Sequence, residues 1–194
     1  RFIAPDGATS RVGRTWTTPL PDAKRPVMIA LASCQNWPPN RYGAYRRLIQ
    51  DDQMADKDGG IDLILHVGDY VYGLPANPDE PVEPGQAGDM GRGGMGSSDA
   101  QENVPENFDG YLSGHRQIYK TYLTDPDLQD ARALYPFIAI WDDHEYGNDA
   151  WQSYTDGRAN PEKRAAATQA WFEFVPQILT GSLSVPGVAN EASD

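Results

Sequence analysis

Three largely apolar runs of strand length punctuate this chain: Val27-Met28-Ile29-Ala30-Leu31-Ala32, a second from Ile61 to Val67 interrupted by Asp62 and His66, and Phe137-Ile138-Ala139-Ile140-Trp141. A run without strict polar alternation suits a strand buried on both faces, as in a parallel sheet. Between the runs the apolar period lengthens. Over 41–54, Tyr42, Tyr45, Leu48 and Ile49 fall on one helical stripe, with Arg46, Arg47 and Gln50 off it. Over 108–123, Tyr111, Leu112, Ile118, Tyr119, Tyr122 and Leu123 share a face, and His115 and Arg116 at its edge are expected on the helix surface. Asp125-Pro126 reads as an N-cap and first-turn proline of a shorter helix ending near Leu134. Pro161 opens a last helix through Phe174, rich in strong helix formers and stopped by Pro176. Strand, helix, strand in this order is a parallel crossover unit, so the fold class is α/β.

The rest of the pattern is irregular. Residues 1–26 form an extended, turn-rich arm. Residues 74–107 are glycine-rich and aperiodic, a flexible insertion or a lid over a site. Residues 146–160 read as polar loop and 181–194 as an irregular tail, leaving 27–180 as the body of the domain. No internal repeat is visible.

Composition narrows the function. A chain of 194 residues can bury one real core. A formal net charge of −12 and an isoelectric point near 4.5 leave no basic stripe for nucleic acid. No apolar run approaches the ~20 residues of a membrane span. The lone cysteine, Cys34, excludes an intrachain disulfide. The sequence begins at Arg1 without a signal peptide, so a processed or partial product is expected.

The candidate chemistry sits where the apolar runs end. The first run ends at Ser33-Cys34-Gln35. The second ends at Gly68-Asp69-Tyr70-Val71-Tyr72. The third ends at Asp142-Asp143-His144-Glu145. In a parallel sheet these three ends line one edge, where open α/β folds bind their ligands. Crowded carboxylates call for a cation, and thiolate with phenolate suits a highly charged one. Strand alternation turns Asp142 and Asp143 to opposite sides, and residue chemistry alone does not choose between them. His66, inside a strand, reads as a core histidine or as a donor behind the ligands. Tyr70 reads as packing, and Glu145 as a neighbour behind the ligands.

These segments resemble the PhoD-type alkaline phosphatases, a branch of the calcineurin-like metallophosphoesterases. The likeness rests on Ala32-Ser33-Cys34-Gln35, on His66 through Tyr72, and on Trp141-Asp142-Asp143-His144-Glu145. Tyr119 to Leu123, Asp127 to Gln129 and Arg164 to Ala170 support it. The resemblance implies a metallophosphoesterase-like α/β/β/α sandwich and hydrolysis of phosphate mono- or diesters by a metal-bound hydroxide. It implies iron (Fe3+) held by Cys34, Asp69 and Tyr72, and calcium (Ca2+) as the second ion, bridged by Asp69 and ligated by Asp143. His144 would then stabilise the transition state or protonate the leaving oxygen. Asn148 and Arg116 are candidate contacts to the substrate, a phosphate ester. The setting implied is periplasmic or secreted, and the arm at 1–26 resembles the link from a preceding β domain. The family's later Gly-His-x-His ligands have no counterpart after His144, so a further segment or second chain is expected to complete the metal site. The alternatives are a truncated, non-catalytic homologue with a structural role and a simple calcium-binding module.

Overall fold

The computed structural model describes residues 1–15, 17, 19–37, 42–55, 60–72, 107–155 and 158–175. The glycine-rich stretch, the end of the last helix at Pro176 and the tail lie outside them. Three strands, β1 (Ile29–Ala32), β2 (Leu63–Val67) and β3 (Phe137–Ile140), form a parallel sheet in the order β1-β2-β3. Helix α1 (Gly43–Met54) connects β1 to β2. Helices α2 (Phe108–Tyr122) and α3 (Pro126–Leu134) precede β3. A two-stranded antiparallel ribbon, β4 (Tyr154–Thr155) with β5 (Arg158–Ala159), and helix α4 (Pro161–Phe174) follow it. The ribbon falls in the stretch expected to be plain loop. Its strands are too short to carry a period in sequence.

The helix starts follow local chemistry. Asn107 accepts a hydrogen bond from Gly110 N at 2.9 Å and caps α2. Asp125 accepts from Asp127 N and Leu128 N ahead of Pro126 on α3. Asn160 accepts from Lys163 N ahead of Pro161 on α4. Each side chain satisfies backbone donors that a helix start leaves free.

The register sorts the strand residues into two faces. Ala30 pairs with Ile64 and Ala32 with His66, while Ile64 pairs with Phe137 and His66 with Ala139. This face lies in the core with Tyr45, Tyr70, Ile118, Tyr119, Leu128 and Trp171. The alternate residues form the other face. There Ile29, Leu31, Val67, Ile138 and Ile140 stay exposed, Leu31 at 69%. The expectation of strands buried on both faces is corrected here: among the described residues only one face is covered. The apolar runs were read without knowing what lies above each side. No described helix is long and apolar enough to cross a membrane.

The helices lock to one another across the covered face. Tyr119 stacks on Phe174 at 5.3 Å, joining α2 to α4. Arg116 makes two hydrogen bonds to Glu173, at 2.7 and 2.6 Å, across the same interface. Arg46 of α1 grips Asp127 of α3 with two bonds, at 3.0 and 2.9 Å. His115, expected on the surface, is buried beside α4 and only 3% exposed. Burial, and then the charge of Lys163, hold its pKa down to about 3.

Candidate metal centre

Each strand of the sheet ends in a turn that its neighbour holds. Beyond β1, Cys34 N donates to Gly68 O at 3.1 Å and Gln35 N to Asp69 O at 3.0 Å. The ladder between the first two strands therefore runs on into the turns. Cys34 and Asp69 both take positive φ, 54° and 55°. Side chains seldom adopt that backbone, and it is found where a turn is over-determined by its surroundings. Gly68 precedes Asp69 with φ of 107°, and a Cβ there would run into the Cβ of Asp142. Only glycine lets the turn after β2 close against the turn after β3.

The candidate residues meet at this edge. Tyr72 Oη donates to Asp69 Oδ2 at 2.8 Å. Asp69, Asp143 and His144 each offer a ligand atom within 4.8 Å of one another. The His144 ring lies 4.1 Å from the Tyr72 ring at 34°. The exposed Cys34 thiol reaches the Tyr72 hydroxyl. Burial first, then hydrogen bonds with Asp69 and Cys34, push the Tyr72 phenol far above its ordinary range. Asp143 is also raised, by burial first and by Asp69 among lesser causes, while His144 lowers it. Asp149 N donates to Asp143 Oδ2 at 2.5 Å and fixes that carboxylate from outside.

These donors fit a cation. Asp69 Oδ1 and His144 Nδ1 are buried without a hydrogen-bond partner. Two carboxylates and a phenol, hard oxygen donors, share the space with a softer thiol. A positive ion satisfies the orphaned atoms and removes the repulsion at once.

Other residues fall elsewhere. Of the paired aspartates, Asp143 lies in the cluster with Asp69 and His144, while Asp142 is exposed and donates its backbone N–H to Glu145 at 2.8 Å. Asn148 follows the cluster and donates from Nδ2 to Asp149 Oδ2 at 2.9 Å. Arg116, a candidate substrate contact, pairs with Glu173. His66 is fully buried with neither ring nitrogen partnered, edge-on to Tyr70 at 5.1 Å. It is a core histidine, with its pKa lowered to about 4 by burial. Sequence reasoning missed Gly68 as the point of closest approach between turns. Its signal was present in the Gly-Asp pair that ends an apolar run.

A family model described as PhoD-like phosphatase matches residues 29–184. Alkaline phosphatase D of Bacillus subtilis (strain 168) is 31% identical over 172 residues, covering 86% of this chain and 26% of that protein. A solved structure described as that of PhoD matches with a TM-score of 0.61 at 28% identity, over 91% of this chain and 30% of the other. The chain thus spans 26% to 30% of the length of these relatives.

Proposed function

Because the chain belongs to the PhoD-like phosphatase family, we propose that it forms part of a metal-dependent hydrolase of phosphate mono- or diesters. The observation that carries the reading is the meeting of Cys34, Asp69, Tyr72, Asp143 and His144 at one sheet edge. Cys34, Asp69 and Tyr72 would hold iron as Fe3+, and Asp69 with Asp143 would hold calcium. Such ions supply Lewis acidity toward phosphoryl oxygens and a water nucleophile at neutral pH.

The remaining work falls to this chain's own residues. Tyr72, packed on the His144 ring, fixes the plane of the imidazole. His144 then holds a proton for the departing ester oxygen or stabilises the charge it develops. The Asp149 N–H keeps the Asp143 carboxylate turned toward Asp69. Asn148 is a candidate substrate contact, reaching the ester by releasing Asp149. The exposed thiol side of the cluster is the open approach for a phosphate ester. A later segment of the same protein, or a second chain, would complete the ligand set, in a periplasmic or secreted setting.

The test uses the full-length protein, a chromogenic phosphate ester and elemental analysis. Asp69→Asn is expected to lose turnover by at least two orders of magnitude, since metal-centred charge stabilisation is worth several kcal/mol. It is also expected to lose bound iron and calcium. Wild-type turnover and metal content in that variant would sink the proposal.

A further inference from the structure

Behind the metal cluster, a buried carboxylate joins two turns that belong to different strands. Glu145 is 3% exposed. Its Oε1 accepts a hydrogen bond from Tyr70 N, and its Oε2 accepts one from Asp142 N at 2.8 Å. Tyr70 directly follows Asp69, and Asp142 directly precedes Asp143. Each oxygen therefore holds a peptide group adjacent to a candidate ligand. The two ligands lie on separate turns, after β2 and after β3. Gly68, pressed against Asp142, allows the turns to come that close.

Resting on the metal-dependent reading above, we infer that Glu145 is a positioning residue that fixes the spacing of Asp69 and Asp143, and thereby sets how tightly the cluster holds its cations. The chemistry requires a carboxylate. Two N–H donors converge on one side chain, and a carboxyl group offers an acceptor oxygen to each. Glutamine has the same shape but presents an NH2 group to one of the two donors. No lysine or arginine forms an ion pair with Glu145 among the described residues. A buried charge without a partner is costly. The cations that Asp69 and Asp143 would hold are the nearest source of compensating charge. Holding the turns at fixed spacing also spares the cluster the entropy of ordering them when ions bind. A carboxylate serving only as a local cap would grip one turn, its own, and this one grips two.

The experiment compares full-length wild type, Glu145→Gln and Leu128→Ala. Leu128 is a fully buried residue of α3 that makes no contact named in the site, so its variant reports the effect of lost stability alone. Three quantities are read: metal retained per chain against graded chelator, kcat and KM on a chromogenic phosphate ester, and Tm of the metal-stripped proteins. Glu145→Gln is expected to release metal at about 10- to 100-fold lower chelator concentration, the scale of effects from residues that support ligands. Its kcat is expected to fall while KM stays within about twofold. Leu128→Ala should lose Tm yet keep wild-type metal retention and kcat.

Wild-type metal retention in Glu145→Gln overturns the inference. So does an equal loss of metal from Leu128→Ala, which would make the effect one of stability. If Glu145→Gln does not accumulate as folded protein, Glu145→Asp carries the test. Its shorter carboxylate reaches one turn and should give intermediate metal loss, and unchanged retention would overturn the inference. A wild-type protein with neither metal nor turnover would sink the proposed function as well, whereas a metal-loaded, active wild type with an indifferent Glu145→Gln sinks this inference alone.

Discussion

On one face of the parallel sheet, Ala30, Ala32, Ile64, His66, Phe137 and Ala139 lie beneath helices. On the other, Ile29, Leu31, Val67, Ile138 and Ile140 stand open to solvent. The two faces come from the same strands and are equally apolar in sequence. They differ in what packs on them. The covered face mixes three alanines with Ile64, His66 and Phe137, and Tyr45, Tyr70 and Trp171 belong to the same core. The open face carries branched residues throughout. Among the described residues, these exposed branched side chains form a contiguous row across three paired strands rather than scattered surface hydrophobes.

Substitutions on the two faces should separate them. The largest effect belongs to the covered face: Ile64→Ala is expected to cost about 2–5 kcal/mol, read by chemical denaturation. Leu31→Ala is the matched change on the open face. It should approach the same cost in the full-length protein if that face is covered there. It should stay within about 0.5 kcal/mol if the face remains open.

Next in size is Gly68→Ala, at the end where both faces meet the candidate metal cluster. The added Cβ collides with Asp142 and stands at a φ suited to glycine. A loss of about 1–3 kcal/mol is expected, with reduced metal content by elemental analysis. Unchanged metal content would show that the two turns are not held as closely as described.

A graded effect follows pH. His115, on the covered side, has a folded pKa of about 3, against an ordinary value near 6.5. The folded state therefore resists protonation that the unfolded state accepts. Stability is full above about pH 6.5 and falls as pH drops from there toward 3, by at most about 1.4 kcal/mol per unit from this residue. His115→Gln should flatten this part of a plot of Tm against pH, and an unaltered slope would contradict the assignment.

The smallest expected effect on stability comes from Leu31→Lys in the isolated 194-residue chain, within about 0.5 kcal/mol. The same change should suppress self-association measured by sedimentation, because it breaks the apolar row at its most exposed point. Persistent association would place the contact surface elsewhere.

Much of this was legible in the chain. The apolar runs located β1, β2 and β3 to within two residues at each end. Asp125-Pro126 marked the start of α3, because capping is a local interaction between neighbours in sequence. The site residues stood out because chemistry was concentrated where apolar runs stopped. What escaped depended on contacts between distant segments. The cover over each sheet face, the burial of His115 against α4 and the pairing of Arg116 with Glu173 leave no local trace. Glu145 was visible as an acid beside the ligands, but its grip on Tyr70 N required the strand order. Residue chemistry alone left Asp142 and Asp143 open, the resemblance favoured Asp143, and the turn geometry groups Asp143 with Asp69 and His144.

The hydrogen bonds from Cys34 and Gln35 to Gly68 and Asp69 extend the sheet ladder one step into the site. Neighbouring strands sit about 4.8 Å apart whatever their sequence. The sheet therefore acts as a ruler for the donors at its edge. Exchanging one donor for another changes which ion is preferred and leaves the graduations alone. Adding or deleting one residue within β2 would slide every mark, moving Asp69 relative to Cys34 and turning the strand over. The spacing of the donors is thus set by the length of the strands, and their chemistry by the residues in the turns.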